Sequence, residues 1–185
     1  MIVTIAGDPG AGKSTIAKAI AEKYGLKRYS AGDLMRQIAQ EKGISLMELM
    51  NLAEKDASID RAVDKKTIML GKKEDNFILD SRIGFHFIPE SIKVFVKVDP
   101  DKSAERVLAD ICKGGRTGEK ENKTLQQVKK SLIARQKSES LRYKKYYGIN
   151  NLAVTNYDLI IDTSDLSMDE EIAQTLAWFK KNVKN

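Results

Sequence analysis

The amino-acid sequence predicts a three-layer α/β fold, in which a five-stranded parallel sheet carries helices on both faces. Short apolar runs alternate along the chain with longer stretches that have the apolar spacing of helices. In addition, a polar cluster directly follows four of these runs, as expected if the strands end at one ligand-binding edge of a parallel sheet. Together these observations favour a single ligand site at that edge.

Five apolar runs are predicted to be strands. "IVTIAG" and "IKVFVKVD" are rich in β-branched residues, and the other three runs are shorter. The predicted strands span residues 2–7, 26–30, 76–80, 92–99 and 158–162. The polar clusters begin at Gly7, Ser30, Asp80 and Asp162.

Helices are predicted between the strands. The first, "KSTIAKAIAEKY", places apolar residues along one side and ends at Gly25. Another begins with Asp99 as its N-cap and Pro100 in its first turn. Residues 37–75 form a mostly helical insertion. The C-terminal helix starts with acids and ends with lysines, as the helix dipole favours.

At 185 residues the chain is predicted to form one domain, residues 1–185, with two movable parts. These are the insertion at about 37–75 and a lid at about 113–123, where "KGGRTGEKENK" combines glycines with solvated charges. No apolar run is long enough to span a membrane, and the N-terminus lacks the basic segment of a signal peptide. We therefore expect a cytoplasmic protein without a membrane partner. Its single cysteine, Cys112, is expected to be buried in the core.

The net charge of +6 is concentrated in one segment. Residues 129–147 hold seven Lys or Arg residues and one Glu, so the rest of the chain is balanced. A basic segment of this kind suits nucleic acid, an acidic membrane or phosphorylated small molecules. The charge alone leaves these partners open.

The segment "GDPGAGKS" matches the pattern G-x-x-x-x-G-K-[ST] and lies between a predicted strand and a predicted helix. Its glycines let successive backbone N–H groups face a di- or triphosphate, and the helix N-terminus adds positive potential. Lys13 would reach the β- and γ-phosphates, and Ser14 would hold Mg²⁺ through its hydroxyl. The predicted ATP- or GTP-binding residues are Gly7, Asp8, Pro9, Gly10, Ala11, Gly12, Lys13, Ser14 and Thr15.

The residues after the third apolar run favour phosphoryl transfer over hydrolysis. A hydrolase needs an acidic or amide side chain that orients water near the γ-phosphate. Here "ILDSR" places Asp80 where it can serve Mg²⁺, directly or through water, whereas Ser81 cannot replace a water-activating carboxylate. The sequence also has no guanine-binding N-K-x-D pattern. The site is therefore expected to exclude water.

"GDPGAGKST" followed by "SAGDLMR" resembles the nucleoside monophosphate kinase family of P-loop NTPases. The resemblance implies that Ser30 and Asp33 shape the acceptor pocket and that Arg36 binds the acceptor phosphate. It also implies that Asp80 of "LDSRIG" lies near the metal and that Arg82 binds the same phosphate. Independently, a monophosphate is close to dianionic at neutral pH, and a planar guanidinium can bind it through two hydrogen bonds. Spacing alone leaves open a capped helix with an incidental acid and arginine.

Within that family, "RQKSESLR" resembles an element of cytidylate kinases. "RYKKYYGIN" and "LIIDTSDLSMDEEI" are also similar to cytidylate kinases, the first of them to the short archaeal-type branch. The resemblance implies that Arg135 and Arg142 meet the acceptor nucleotide and that Glu139 binds its sugar hydroxyls, although the family usually has Asp there. The alternative is an exposed helical stripe in which Glu139 pairs with both arginines.

Two further segments are interpreted less directly. By the same resemblance, the loop that contains Thr163 and Ser164 lies against the adenine of ATP. In the insertion, Asp60 and Asp64 share a helix face with Arg61 nearby, and a solvated surface is favoured there over contact with the base. Base selectivity therefore rests on the resemblance alone.

These features predict transfer of the γ-phosphate from ATP to CMP or dCMP, which gives ADP and CDP or dCDP. The acceptor oxygen is already ionised, so no general base is needed and the lone histidine, His86, is not expected to be catalytic. Arg116 of the lid would close over the transferring group together with Arg106. The predicted catalytic residues are Lys13, Arg82, Arg106 and Arg135.

Two alternatives remain open. The first is another kinase of the same fold that acts on AMP, UMP or a non-nucleotide phosphate. The second is an ATP-dependent RNA-binding module that uses solvent-facing Tyr143, Tyr146 and Tyr147, whose RNA binding would weaken steeply with salt. The kinase interpretation predicts a monomer without a stable nucleic-acid partner.

Overall fold

A computed structural model of the chain describes residues 1–114 and 124–183. Most of the predicted lid, including Arg116, lies outside the described residues. Within the two described ranges, no helix is both long and apolar enough to cross a bilayer.

The centre of the structure is a five-stranded parallel sheet. Each strand lies within a run predicted from the sequence, so all five predictions are confirmed. The strands are β1 Ile2–Gly7, β2 Lys27–Ser30, β3 Phe77–Asp80, β4 Ile92–Lys97 and β5 Leu159–Asp162. Their order across the sheet is β2-β3-β1-β4-β5.

The strand register gathers the polar clusters at one edge of the sheet. Ser30, the last residue of β2, pairs with Asp80, the last residue of β3. Gly7, the last residue of the central strand β1, pairs with Val96 of β4. Because all neighbouring strands are parallel, their carboxyl ends lie together at one edge of the sheet.

Helices surround this sheet, and side-chain caps explain several of their starts. They are α1 Lys13–Tyr24, α2 Ala31–Glu41, α3 Leu46–Ala53, α4 Ser58–Lys73, α5 Gly84–Phe87, α6 Pro100–Cys112, α7 Leu125–Tyr147 and α8 Met168–Asn182. Asp99 caps α6 as predicted, by accepting from the backbone N–H groups of Asp101 and Lys102. Capping boxes at Ser45 and Thr124 start α3 and α7.

Both faces of the sheet are covered, which confirms the three-layer α/β fold. On one face, α1 and α8 pack on the central strands around the buried residues Val3, Ile5, Ile16, Ile20, Val94, Val96 and Phe179. On the other face, the ring of Phe95 lies 4.8 Å from the ring of Tyr157, which in turn contacts Phe85 of α5. The helices α2, α3 and α4 form a smaller apolar cluster of their own around Ala39, Leu49, Ala53 and Ile59.

The prediction that Cys112 belongs to the core is wrong, because its side chain is exposed. Helix α6 packs against α7 through Ala104 and Val107, with Leu108 and Ile111 partly buried beside them. One further residue rotates the side chain by about 100° around the helix axis. Cys112 therefore points away from this cluster at the end of α6.

Candidate active site

Most of the residues predicted to form the site line one cleft of 570 Å³ at the carboxyl ends of the strands. The loop after β1 forms its floor between two arms. One arm is lined by α2, α3 and α4, and the other by α6 and α8. The predicted residues that line the cleft are Pro9, Gly10, Gly12, Lys13, Ser14, Thr15, Ser30, Arg36, Asp80, Arg82, Arg106, Arg135, Glu139 and Arg142. The predicted residues that lie outside its lining are Gly7, Asp8, Ala11, Asp33, Thr163 and Ser164.

The loop between β1 and α1 has the backbone geometry of a phosphate-binding loop. Gly7 has a φ angle of 141°, and a Cβ atom there would lie 1.9 Å from the carbonyl oxygen of Val96. Gly12, immediately before α1, has a left-handed φ angle of 85°. Side chains other than glycine rarely fit such positions. The loop can therefore curl beneath the cleft and present the N-terminus of α1 to a nucleotide phosphate.

Lys13 lies at the floor of the cleft and contacts its own loop. Its ammonium donates to the carbonyl oxygens of Gly7 at 3.1 Å and Asp8 at 2.5 Å. Burial, and then the nearby charge of Arg82, lowers the pKa of Lys13 to about 7. Anionic phosphate oxygens would stabilise this cation better than two carbonyl groups do.

Asp8 supports the loop from outside the cleft. Its carboxylate accepts from the backbone N–H of Val98 at 3.1 Å and from the side-chain amide of Gln136 at 2.9 Å. The hydroxyl of Ser103 donates to the carbonyl oxygen of Pro9 at 2.6 Å. Sequence reasoning missed Gln136 and Ser103, because no role was assigned to Gln136 within "RQKSESLR" and Ser103 belongs to no recognisable motif.

A buried ion-pair network joins α7 to the loop after β3. The Glu139 carboxylate accepts from Nε of Arg82 at 2.8 Å and from Nε of Arg135 at 3.1 Å. Arg82 also donates to the carbonyl oxygen of Gly7 at 2.6 Å, so the network touches the phosphate loop. Only 5% of Glu139 is exposed, and the alternative of an exposed stripe is therefore wrong.

The two guanidinium groups control the ionisation of Glu139. Burial by itself would raise its pKa, but the charges of Arg82 and Arg135 lower the pKa to about 2. Glu139 is therefore ionised in the folded protein, and its carboxylate holds two arginines side by side at the cleft wall.

The free energy of unfolding is expected to depend on Glu139 in acid. Because its folded-state pKa lies below the ordinary value of 4.5, its contribution is present above pH 4.5 and is lost as the pH falls toward 2. The full contribution is about 3 kcal/mol. We expect the difference in denaturant stability between wild type and Glu139→Gln to shrink between about pH 6 and about pH 3. A difference that stays constant over this range would contradict the ionised network.

Arg142 forms a separate buried pair with Asp60 of α4. Its Nε donates to Asp60 Oδ2 at 2.8 Å, and its Nη1 donates to the hydroxyl of Ser138 at 2.7 Å. Asp60 is only 5% exposed, so the interpretation of this helix face as a solvated surface is wrong for Asp60. The pair links the insertion to α7, and both residues line the cleft.

The cluster after β2 has local contacts in this structure. The hydroxyl of Ser30 caps α2 by accepting from the backbone N–H of Asp33 at 3.1 Å. The Asp33 carboxylate pairs with Arg36 one helical turn later. Ser30 and Arg36 line the cleft, where the Arg36 side chain is half exposed and accessible to an anion.

Ser14 and Asp80 are the residues predicted to serve a magnesium ion. Both line the cleft, Ser14 at the start of α1 and Asp80 at the end of β3. In residues 1–114 and 124–183, no three His, Cys, Asp or Glu side chains are grouped as metal ligands. Mg²⁺ in kinases usually keeps several waters and binds substrate phosphates with only one or two protein oxygens. One hydroxyl and one carboxylate fit that requirement.

The opposite arm of the cleft is organised by Arg106. Its guanidinium donates to the hydroxyl of Thr163 at 3.1 Å and to the carbonyl oxygen of Thr163 at 2.7 Å. It also pairs with Glu171 at 3.2 Å, and Glu171 is buried beside Gly12. The hydroxyl of Ser164 accepts from the backbone N–H of Asp99 at 2.8 Å.

Sequence reasoning missed Glu171, which was assigned only to the acidic first turn of the last helix. The signal that could have found it is helical spacing. Glu171, Thr175 and Phe179 are the buried residues of α8, and they lie four positions apart. An acid on the buried face of a helix needs a cation, and Arg106 supplies it.

The tyrosines of α7 do not form the solvent-facing stack that the RNA-binding interpretation requires. Tyr143 is buried, with only 9% of its surface exposed. The hydroxyl of Tyr146 donates to the carbonyl oxygen of Ala53, and that of Tyr147 donates to the Asp64 carboxylate. These contacts favour a structural role for the three rings.

Comparison with protein families gives one match that covers most of the chain. Residues 2–165 match the model described as the cytidylate kinase-like family. The cytidylate kinase of Methanocella arvoryzae is 37% identical over 164 residues, which are 89% of this chain and 88% of that protein. The cytidylate kinase of Archaeoglobus fulgidus is 36% identical over 172 residues, which are 92% and 89% of the two chains.

Comparison with solved structures supports the fold alone. An uncharacterized protein from Eubacterium ventriosum superposes with a TM-score of 0.70 at 18% identity, over 98% of this chain and 99% of that one. The shikimate kinase of Bacteroides thetaiotaomicron superposes with a TM-score of 0.61 at 15% identity, over 98% and 96% of the chains. Both similarities extend over the whole sheet and its helices.

Proposed function

This chain belongs to the cytidylate kinase-like family, and from that membership we propose that it transfers the γ-phosphate of ATP to CMP or dCMP. The coarser assignment is a nucleoside monophosphate kinase built on a P-loop fold, which the named relatives support. The choice of cytosine nucleotides and of ATP as donor is the proposal. A monomeric protein that acts in the cytoplasm is proposed with it.

The observation that carries the proposal is the pair of arginines held by Glu139. Arg82 and Arg135 bind the two oxygens of one buried carboxylate, and Arg82 also reaches the phosphate loop at Gly7. A dianionic monophosphate placed against these guanidiniums would lie next to the phosphates of a nucleotide bound in that loop. Its oxygen is already ionised, so the residues need only orient it and offset its charge.

The other proposed site residues serve the donor and the metal. Lys13 would bind the β- and γ-phosphates, and Ser14 and Asp80 would hold Mg²⁺, which offsets charge on those phosphates when bound. Arg106 would close over the transferring group, for which it must first exchange its bonds to Thr163 and Glu171. The proposed role of Arg106 therefore requires its guanidinium to leave its present partners.

A side chain proposed to contact the acceptor also already has hydrogen-bond partners within the protein. The resemblance assigns the sugar hydroxyls to Glu139, whose two oxygens accept from arginines in this structure. A carboxylate oxygen accepts more than one hydrogen bond, so a sugar hydroxyl can be added without breaking the network. Arg36 and Arg142 would contribute further positive charge from α2 and α7.

The proposal is tested by ADP release with ATP and Mg²⁺ across CMP, dCMP, UMP, AMP, GMP and a blank without acceptor. We expect strong turnover with CMP and dCMP, weak turnover with UMP, and a blank near zero because the site excludes water. Turnover with AMP or GMP instead would keep the mechanism but contradict the proposed acceptor. ADP release that equals the blank throughout would contradict a nucleotide acceptor altogether.

A further inference from the structure

The arm of the cleft lined by α2, α3 and α4 has an apolar lining that carries two carboxyl groups. Its walls are apolar and are formed by Met35, Leu46, Met50 and Val63. Asp60 and Asp64 of α4 interrupt this apolar lining one helical turn apart. An apolar slot with a few polar groups at its edge is what an aromatic ligand requires.

The two carboxylates of this pocket differ in what they can offer to a ligand. Asp60 is committed, because Arg142 donates to its two oxygens at 2.8 Å and 3.5 Å. Asp64 accepts from the hydroxyl of Tyr147 through Oδ2. Its other oxygen, Oδ1, has no hydrogen-bond partner among the described residues. Asp64 is therefore the carboxyl group of this arm that has one oxygen without a partner in the described part of the chain, whereas both oxygens of Asp60 bind Arg142.

The ionisation state of Asp64 decides which hydrogen bonds it can offer to a base, and above about pH 6 the group is mainly a carboxylate. Burial, together with the neighbouring charge of Asp60, raises the pKa of Asp64 to about 6 against the hydrogen bond from Tyr147. A protonated carboxyl group donates through one oxygen and accepts through the other. A carboxylate only accepts.

Pyrimidine bases differ at the edge that such a group would contact. Cytosine has an amino group at position 4 that donates, and its neighbouring ring nitrogen accepts. Uracil has a carbonyl oxygen at position 4 that accepts, and its ring nitrogen carries a proton. The free oxygen of an ionised Asp64 can accept from the amino group of cytosine and would repel the carbonyl oxygen of uracil, whereas a protonated carboxyl group could pair with either edge.

We propose that Asp64, positioned by Tyr147, recognises the amino-bearing edge of the acceptor base and thereby selects cytosine over uracil nucleotides. The inference rests on the proposed function, because it assumes that the acceptor is a nucleoside monophosphate whose phosphate lies at Arg82. The base would then extend from the arginines into the apolar arm that Met50 and Val63 help to line. Tyr147 acts as a positioning residue that contacts Asp64 without contacting the base.

The substitution Asp64→Asn tests this role without changing the size of the side chain. With its oxygen toward Tyr147 the amide accepts from the hydroxyl and presents its amino group to the base, and after rotation it donates to the hydroxyl oxygen and presents its own oxygen to the base. It should therefore bind both pyrimidines. We expect wild type to bind CMP about 10- to 100-fold more tightly than UMP, and the variant to bind the two within about threefold of each other.

The readout is the dissociation constant of CMP and of UMP, measured by calorimetry without ATP, together with initial rates for both acceptors. Glu54→Gln, an equal change of charge at an exposed position outside the cleft, is the matched control and should keep the wild-type preference. Melting curves of the three proteins should coincide within a few degrees, which excludes misfolding.

The outcomes separate this inference from the proposed function. Loss of preference in Asp64→Asn but not in Glu54→Gln supports the inference. An unchanged preference in Asp64→Asn overturns it, even if CMP is phosphorylated normally. If CMP binds selectively but no acceptor stimulates ADP release, the proposed function fails while the binding data still decide the role of Asp64. If wild type binds neither nucleotide, both are overturned.

Discussion

Replacement of Lys13 by alanine is expected to lower kcat by about a thousandfold. The ammonium is the cation at the floor of the cleft, and in the free protein it donates hydrogen bonds to the carbonyl oxygens of Gly7 and Asp8. Its charge would therefore become fully effective when phosphate oxygens replace those contacts. Steady-state kinetics with ATP and CMP measure the loss. Lys18→Ala removes an exposed lysine from the same helix and should leave kcat unchanged.

The same variant is also expected to change how the free energy of unfolding depends on pH. Burial lowers the pKa of Lys13 to about 7, so between pH 7 and its ordinary value of 10.5 the unfolded chain binds the proton more tightly. The unfolding free energy of wild type should therefore rise with pH across this window, and Lys13→Ala should lose that rise.

For the rate prediction, a Lys13→Ala variant that keeps more than about a tenth of wild-type kcat would contradict the placement of the donor phosphates at this loop.

Replacement of Arg82 by alanine is expected to lower kcat/KM for CMP by about a hundredfold to a thousandfold. Arg82 contacts both the phosphate loop at Gly7 and the buried carboxylate of Glu139, so its removal affects the alignment of donor and acceptor together. The variant should also be less stable, by about 3 kcal/mol or more, because Glu139 keeps only Arg135 as a partner.

The double variant Arg82→Ala with Glu139→Gln separates these two effects. The amide removes the buried negative charge, so the double variant should recover part of the lost denaturant stability. It should recover none of the lost kcat/KM if Arg82 binds the acceptor phosphate. Recovery of activity together with stability would show that Arg82 has only a structural role.

The sheet and the phosphate loop could be predicted from the sequence because each depends on local information. β-branched runs specify strands, and the spacing of Gly7, Gly12 and Lys13 specifies a loop between a strand and a helix. Caps are equally local, as the predicted and observed role of Asp99 shows. The order of the strands is a tertiary property, and the sequence pattern does not contain it.

The partners of buried charges could not be predicted, because sequence spacing favours pairs within one helix. Glu139 does pair with Arg135 one turn away, but its second partner is Arg82, which lies 57 residues earlier in the chain. Arg142 pairs with Asp60, which is 82 residues away, and not with Glu139. A buried cation is stable only when it is paired, and the carboxylate that pairs with it can come from any part of the chain that the fold brings close.

Helical faces were the other source of error, since one residue changes the direction of a side chain by about 100°. Cys112 was assigned to the packed side of α6 and is exposed beside Ile111, which is partly buried. Glu171 was assigned only to the acidic first turn of the last helix, and it lies on the buried face of α8. Both errors arose near helix ends, where few turns remain to define the apolar side.

Transfer of the γ-phosphate to a nucleotide, and not to water, is tested most directly by following that phosphate from labelled ATP in the presence of CMP and Mg²⁺. Chromatography of the products should show the label in CDP, with inorganic phosphate no higher than in a reaction without protein. Recovery of the label as inorganic phosphate, or its retention in ATP, would contradict a kinase that acts on CMP.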